Sequence, residues 1–534
     1  MYRNFILKKS PLVFTQIDRD RHSLTYGSCD RNHWHLKIRD FTSAILQQSA
    51  LTLALLYQVK FDGNIYYKNE RLREWAIAAV KYWSKIQLSD GSFNEYYPWE
   101  HGFPPTAFSL YTSCEVYKRL NIVDENIRKS IRKTAEYLSQ HVEKDALNQE
   151  IASITALYNA YLVLNEKWIY TAMNRKLEGI LRLQNSEGWF EEYRGADIGY
   201  LSVSLDMLAE YYWLSKDERV ISPLKKVVEF LQYFVHPDGT IGGEYASRNT
   251  TYLLPNGLEV MSILGVSEAE AIIQKVYANT EVNGYFLDAV DDRYLSHYIM
   301  HSMLRAQEKR DSIKNHPIPC KLPYESKYIK VFENAGIVNF SNGIYSGIIS
   351  LRKGGVIKLY HADKECFIDC GYRVSVKKGT VMATNWQDPS YECTYSDTTF
   401  QCAGQMNQIE LKVSKPFLHI GLRGAAFIFG NRLIKILKKK IILVDKHSQV
   451  KFSRKILLKN EEVEIFDTIH SPAYVTLEHA DNMSLRHVAS GKFFSTSDLI
   501  ANPNLYYKDI KNALIHISVR FLADGADINY ERLE

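Results

Sequence analysis

The chain has 534 residues, of which 46% are hydrophobic and 24% charged, as in a globular protein of two or three domains. Its formal net charge of +5 is too small to indicate a nucleic-acid partner, and no basic block is interleaved with aromatic residues. The 7 cysteines are scattered and odd in number, which argues against a disulfide framework. No zinc-type set of Cys and His is present, so we expect neither a metal nor another cofactor.

The first residues, MYRNFILKKSPLVF, lack the long apolar region and cleavage site of a secretion signal. The most apolar run, residues 51–57, is too short to cross a bilayer. By default we therefore expect a cytoplasmic location and no membrane span.

Two helices are predicted near the N-terminus. Apolar residues fill most of the surface of segment 41–60, as in a helix buried on all sides, whereas segment 71–88 is amphipathic. The second helix ends at a turn with Gly91, followed by an aromatic residue. That ending recurs at Gly188, at Gly239 and more faintly at Gly284.

The recurrence predicts stacked helical hairpins of roughly 45–50 residues each. The first interval is about twice the later ones, which indicates a decayed copy near residues 144–149. Because the inner helices read as apolar all round, we favour a closed (α/α) toroid over a linear solenoid. Its inner-helix ends and loops would line a central cleft.

The pattern changes around residue 310. Pro317, Pro319 and Pro323 mark a linker, and from residue 329 the sequence becomes period-two and rich in Val, Ile, Phe and Thr. Short strands at this spacing predict an antiparallel β-sandwich. They are expected at residues 343–351, 356–361, 366–369, 408–413, 417–421, 433–444 and 463–468. The lysines of 435–440 would then mark a solvated strand face or an edge. The fold class is thus α+β and multidomain, with a toroid at 1–315 and a sandwich at 316–534.

The stretch 236–258, HPDGTIGGEYASRNTTYLLPNGL, is the strongest candidate for a functional loop. It combines turn glycines with many hydrogen-bonding side chains and no lysine. If the chain becomes helical after Ser247, Arg248 and Tyr252 share one face at i, i+4. The loop would then form the floor of a sugar-binding cleft. The alternative is a polar loop that caps two helices.

Helical hairpins followed by a sandwich resemble the heparinase II/III-like polysaccharide lyases. Local segments carry the resemblance: Asp238-Gly239 with Glu244, Ser247 and Tyr252; His361-Ala362-Asp363 followed by Asp369-Cys370-Gly371; and residues 30–35 leading to Gln47-Gln48.

The resemblance implies β-elimination of a uronate-containing glycan, with Tyr252 as base and acid. A tyrosine pKa is ordinarily about 10, so the nearby Arg248 would have to favour the phenolate. Asn249 would donate to the substrate carboxylate, and His361 would reach in from the sandwich as a second base or acid.

Two departures from the family pattern stand out. Such lyases usually have an Asn or His one repeat earlier to bind the carboxylate, but this chain has Asp197 in the segment 194–200. An aspartate repels a carboxylate, unless Arg194 neutralises it or Asp197 is protonated. The family's histidine directly after the tyrosine is replaced by Leu253.

The residues predicted to contact substrate are Arg194, Asp197, Tyr200, Glu244, Tyr97, His101 and His297. His297 and His301 lie at i, i+4, a spacing that can hold a metal, but no acidic HExxH pattern accompanies them. An ion pair between Asp292 and Arg293 is the expected role of the preceding residues.

Three alternatives remain open. A glycoside hydrolase needs two carboxylates that flank the bond, and the toroid loops offer Glu187, Glu191, Glu192, Asp197 and Glu244. A uronate C5-epimerase begins with the same proton abstraction as a lyase. A non-catalytic glycan-binding protein of surface-polysaccharide assembly fits the departures from the lyase pattern. In every case the expected partner is an acidic glycan.

Overall fold

The computed structural model describes residues 1–277, 290–376, 380–409, 415–437, 446–480 and 505–533. The first half is helical. Its helices are α1 (Arg3–Thr15), α2 (Arg31–Trp34), α3 (Ser49–Gln58), α4 (Glu70–Lys85), α5 (Phe103–Arg119), α6 (Glu125–Gln140), α7 (Leu147–Leu164), α8 (Lys167–Leu183), α9 (Ile198–Ser215), α10 (Ile221–Leu231), α11 (Pro255–Ile263), α12 (Ser267–Tyr277), α13 (Asp292–Tyr294) and α14 (Met300–Arg310).

These helices form a closed ring of hairpins. The inner helices α3, α5, α7, α9, α11 and α14 pack in that order, and α14 returns to pack against α3. Inner helices are buried nearly all round, as in Ser49–Gln58, while outer helices such as Glu125–Gln140 bury one stripe. Ring closure confirms the predicted toroid and excludes a linear solenoid.

The predicted turns lie at one end of the ring, each between an outer helix and the next inner helix. Gly91, Gly188 and Gly239 all have positive φ, which favours glycine, and the shorter connection at 141–146 replaces the decayed copy. The proposed copy at Gly284 lies outside the described residues. Neighbouring loops bond to one another, for example Leu147 N to Glu191 O (3.1 Å), so this end of the ring forms one continuous surface.

The second half is β-rich. Its strands are β1 (Tyr328–Phe332), β2 (Ile337–Ser341), β3 (Tyr345–Ser350), β4 (Val356–His361), β5 (Lys364–Asp369), β6 (Tyr372–Ser375), β7 (Val381–Ala383), β8 (Glu392–Tyr395), β9 (Thr399–Ile409), β10 (His447–Leu458), β11 (Glu462–His479), β12 (Tyr506–Leu522) and β13 (Gly525–Arg532).

One antiparallel sheet has the strand order β1-β2-β3-β4-β5. The other runs β10-β9-β7-β6-β11-β12-β13, with β8 paired to β9. Apolar side chains of both sheets share a core, which confirms the predicted α+β architecture. The last toroid helix ends at Arg310 and β1 begins at Tyr328, so the boundary predicted at 315 falls in the connection between them.

Two predicted strands are wrong. Residues 417–421 lie in helix α15 (Pro416–Phe429), and residues 433–437 lie in helix α16 (Asn431–Leu437). Short apolar runs do not distinguish strand from helix, because both can bury such residues. Residues 438–445, the remainder of the second predicted strand, lie outside the described residues. Among the described helices, none is both long and apolar enough to cross a membrane.

The sandwich packs over the loop end of the toroid. Phe332 of β1 contacts the rings of Phe230 and Phe234, with centroid distances of 4.8 and 5.8 Å. Lys353 donates from Nζ to Ala246 O and Asn249 Oδ1. The candidate loop is therefore enclosed between the two domains.

Candidate active site

The loop 236–254 is held to the preceding hairpin by one buried carboxylate. Asp197 Oδ2 accepts hydrogen bonds from the backbone N of Arg248 (3.0 Å) and Thr250 (3.4 Å). Asp197 Oδ1 accepts from the Thr250 hydroxyl and from Tyr200 N (3.1 Å), which caps helix α9. Asp197 was predicted to contact substrate, but both of its carboxylate oxygens accept hydrogen bonds from within the protein.

Arg248 and Tyr252 do not share one face of a helix as predicted. The loop stays irregular after Ser247, and Asn249 has a left-handed φ of 56°, which turns the chain between the two residues. The Arg248 guanidinium lies 4.6 Å from the Tyr193 ring centroid and 5.7 Å from that of Tyr200. Arg248 therefore makes cation–π contacts with these rings.

Tyr252 belongs to a cluster of four tyrosines. Its hydroxyl lies 2.9 Å from the Tyr298 hydroxyl, and its ring is 6.0 Å from Tyr200 and 5.8 Å from Tyr294. The side chain is 0% exposed. Burial, reinforced by the neighbouring phenols, raises the pKa of Tyr252 well above its ordinary value. Tyr252 is thus a protonated phenol at neutral pH, a proton donor rather than a phenolate base.

His297 stands next to this cluster, on the π-helical turn Leu295–Ile299. Its ring stacks on Tyr298 with a centroid distance of 4.4 Å and an interplanar angle of 23°. Both ring nitrogens are inaccessible to water, and neither has a hydrogen-bond partner among the described residues. Burial, together with the charge of Arg293, lowers the pKa of His297 well below 6.5. The imidazole is therefore neutral at neutral pH, with a lone pair on one ring nitrogen.

Arg293 contributes a partly exposed positive charge close to His297. Its guanidinium donates to Glu95 Oε1 (2.5 Å) and lies 5.4 Å from the Tyr96 ring centroid. The predicted ion pair with Asp292 is wrong, because the Asp292 carboxylate accepts from the Gln16 amide (3.0 Å) instead. Arg293 was missed because its partner lies about 200 residues away in sequence.

The tyrosines at 294 and 298 were also missed in the sequence. Their four-residue spacing, in a segment with His297 and Arg293, was the available signal. Such a stripe is equally typical of a buried helix face, so only the surroundings distinguish the two.

Glu192 is a buried residue beside the loop 236–254. It accepts a hydrogen bond from the Asn148 amide, and its backbone oxygen accepts from the Ser247 hydroxyl (2.8 Å). Burial raises the pKa of Glu192 to about 8; Arg248 opposes this shift and Asp197 adds to it. Glu192 therefore holds a proton at neutral pH.

His361 and Glu244 do not join the tyrosine cluster. Along β4 the side chains alternate between faces, so Lys358 and Tyr360 face the toroid loop and His361 faces the sandwich. His361 Nδ1 lies 3.0 Å from Ile344 O, and its ring is 5.7 Å from that of Phe521. The predicted meeting of His361 with Tyr252 is therefore wrong.

Glu244 faces the sandwich instead. Its Oε2 lies 3.5 Å from Lys358 Nζ, which also pairs with Glu365 (2.9 Å). Asn249 is likewise engaged in the domain interface, through Lys353. Both predicted site residues thus help to join the domains.

The remaining predicted residues lie at the rim. His101 Nδ1 is 2.6 Å from Asp90 Oδ2 and 2.9 Å from the Ser92 hydroxyl, so it fixes the first turn. Tyr97 is half-buried in the same loop, and Arg194 is half-buried with a left-handed φ of 70°. His301, the possible metal partner of His297, is engaged with Gln48 and Arg305. Within the described ranges, no group of three His, Cys, Asp or Glu could hold a metal ion.

Comparison with known proteins adds independent observations. Residues 64–253, from the first predicted hairpin to the residue after Tyr252, match the family model for the ulvan lyase N-terminal domain. The structure aligns with a Paenibacillus xanthan lyase at a TM-score of 0.53 and 12% identity, covering 90% of this chain and 46% of that chain. The chain has the architecture of the α/α-toroid polysaccharide lyases.

A second such lyase aligns similarly. Streptomyces coelicolor A3 chondroitin AC lyase, in complex with chondroitin sulphate, matches at a TM-score of 0.56 and 9% identity. The alignment covers 89% of this chain and 67% of that chain. No curated protein matches the sequence. The predicted likeness to toroid lyases is confirmed for the architecture, whereas the narrower likeness to heparinases II and III stays a prediction.

Proposed function

We propose that the protein is a polysaccharide lyase that cleaves a uronate-containing glycan by β-elimination. One observation carries the proposal: the neutral imidazole of His297, with no hydrogen-bond partner among the described residues, stacks on the ring of Tyr298, whose hydroxyl pairs with that of Tyr252. The match of residues 64–253 to a lyase domain supports the same reaction class.

β-Elimination makes three chemical demands. The proton on the carbon next to a uronate carboxylate is very weakly acidic until that charge is neutralised, so a cation or strong hydrogen-bond donors must bind the carboxylate. A base must remove the proton, and an acid must protonate the departing glycosidic oxygen.

His297 and Tyr252 divide the acid and base roles. His297 is neutral at neutral pH because its pKa is lowered, so it suits the base. Tyr252 holds its proton because its pKa is raised, so it suits the acid, and the 2.9 Å contact with the Tyr298 hydroxyl orients it. This assignment replaces a tyrosinate base, which the burial of Tyr252 disfavours.

Arg293 is the candidate to bind the substrate carboxylate. It is the partly exposed cation beside His297, and the contact with Glu95 occupies only part of its guanidinium donor set. Arg248 is fully buried between tyrosine rings, so we assign it to positioning Tyr200. The N-terminal ends of the inner helices also point to this loop surface and favour an anionic substrate.

The experiment measures the unsaturated uronate product by its ultraviolet absorbance, with ulvan, xanthan and chondroitin sulphate as the first substrates. We expect His297→Gln and Tyr252→Phe each to lower kcat by roughly 100-fold or more, since each removes one proton-transfer group. Arg293→Met should mainly raise KM. The matched control is Tyr211→Phe, because Tyr211 is also buried in the toroid and donates one hydrogen bond, to Asp217 (2.7 Å).

Full activity in His297→Gln or Tyr252→Phe would remove the proposed roles. New reducing ends without ultraviolet absorbance would indicate a hydrolase. Exchange of the uronate C5 proton without cleavage would indicate an epimerase, and binding without any product a glycan-binding protein. Any of these three results would overturn the lyase proposal.

A further inference from the structure

An apolar helical insertion projects from the sandwich between β9 and β10. It comprises helices α15 and α16, residues 416–437, and we call it the insertion. Large apolar side chains of α15 are exposed to solvent: Phe417 (85%), Leu418 (64%), Ile420 (66%), Phe427 (70%), Ile428 (72%) and Phe429 (55%). A contiguous apolar surface of this kind marks a binding face, because single exposed apolar residues are ordinary but clusters are not.

Helix α15 exposes its apolar side, whereas a surface helix ordinarily buries that side. Ala426 is fully buried against the rest of the protein, while Phe417 and Ile428 lie on the opposite side of the helix. Gly421 and Gly424 lie between them on that outer side, where an added Cβ would meet no atom within 4 Å. The helix therefore presents its apolar stripe to open space.

Two contacts fix the insertion in this orientation. Arg423, the charged residue within α15, reaches across to the toroid and forms a two-pronged surface ion pair with Asp40 at 2.6 and 2.9 Å. Phe427 packs edge-on against Trp99, with a ring centroid distance of 5.3 Å. Both partners belong to the toroid, so the apolar stripe is held beside the loop that carries Trp99.

The charges around the stripe identify its partner. Residues 415–437 contain four basic residues, Lys415, Arg423, Arg432 and Lys435, and no Asp or Glu, and three more lysines follow in the sequence. Lys415 and Arg432 flank α15 and are exposed. An apolar helix face flanked by cations fits the surface of an anionic bilayer, where acyl chains cover the face and headgroups meet the cations.

A second copy of the chain fits less well. A symmetric contact through α15 would bring the flanking cations of two copies together without an acidic residue in the insertion to pair them.

The length of α15 shows how it would meet a bilayer. The helix has only 14 residues, about 21 Å, which is too short to span a hydrocarbon core of about 30 Å. We infer that the insertion docks the protein on an anionic membrane surface, with α15 lying in the interface.

The test is flotation of the full-length protein with phosphatidylcholine vesicles that contain phosphatidylglycerol, compared with pure phosphatidylcholine. The wild type should float with the anionic vesicles, less at high salt, and bind the neutral ones weakly. Phe417→Glu/Ile428→Glu should lower the partition coefficient by roughly 100-fold, since it replaces two apolar side chains that the membrane would bury with charged ones. The matched control is Ile318→Glu, because Ile318 is equally exposed (88%) but lies outside the insertion.

Several results would overturn the inference. One is a wild type that does not float with anionic vesicles; another is a double variant that floats as well as the wild type. A wild-type dimer that the double variant dissociates, without vesicle binding, would make the stripe a self-interface. Thermal unfolding checks that the variant is folded, and Phe417→Ser/Ile428→Ser, which adds no charge, provides a second test if it is not.

Discussion

Asp197 offers the sharpest test of how the candidate site is built. Its carboxylate receives the backbone amides of Arg248 and Thr250, the Thr250 hydroxyl and the amide of Tyr200. The Thr250 hydroxyl in turn accepts from Gly199 N (2.7 Å). Asp197→Ala would therefore leave several buried donors of the active-site loop without an acceptor at once.

The expected loss of stability follows from these contacts. Removal of the helix cap costs about 1 kcal/mol. Each donor stranded in the interior costs about 1–3 kcal/mol, reduced where the loop relaxes toward water. We expect Asp197→Ala to lower the free energy of unfolding by about 4 kcal/mol. Asp197→Asn keeps the shape and the cap but turns an amide toward backbone donors, so it should cost about half as much.

Urea unfolding of the toroid gives the free energies, and amide hydrogen exchange reports on the loop itself. In Asp197→Ala, the amides of Arg248 and Thr250 should exchange faster, while amides of the sandwich should be unaffected. A loss below about 1 kcal/mol with unchanged exchange at these two amides would refute the reasoning, because it would mean that the buried carboxylate does not hold the loop.

Two further predictions concern buried charge. Arg454 bonds to Asp467 (2.7 Å, twice) and Asp369 (2.7 Å), so Arg454→Met should destabilise the sandwich by about 3–5 kcal/mol in urea, whereas Arg21→Met, at an exposed surface ion pair, should leave the stability nearly unchanged. Equal losses would contradict this. Glu192 keeps its proton up to pH about 8 when folded but only to about 4.5 when unfolded, so stability should fall as pH rises through that window. Glu192→Gln should flatten the pH dependence of Tm, and an unchanged slope would count against it.

The repeated turns allowed the toroid to be predicted from the sequence. A glycine with positive φ after an amphipathic helix is a local requirement, so Gly91, Gly188 and Gly239 recur at intervals of about two hairpins and then one. The insertion was misread because its apolar runs fit a strand or a helix equally well, and nothing local shows that the apolar side faces outward.

Within the site, Tyr252 was identified by a family-like motif, but its neighbours were not. His361 was selected, whereas the side chains of β4 that face the loop are Lys358 and Tyr360, since strand neighbours point to opposite faces. One residue of offset is enough to move a side chain to the other face.

What the sequence determined by itself was the succession of elements: helical hairpins, their turns and the change to period-two strands. These depend on spacings of a few residues, which the chain records directly. The stacking of His297 on Tyr298, the pairing of the Tyr252 and Tyr298 hydroxyls, and the distant partners of Arg293 and Asp197 were decided by the tertiary structure alone. Burial and pKa depend on atoms that lie far apart in the chain but close together in the fold. Neither composition nor local spacing shows which distant residues will meet.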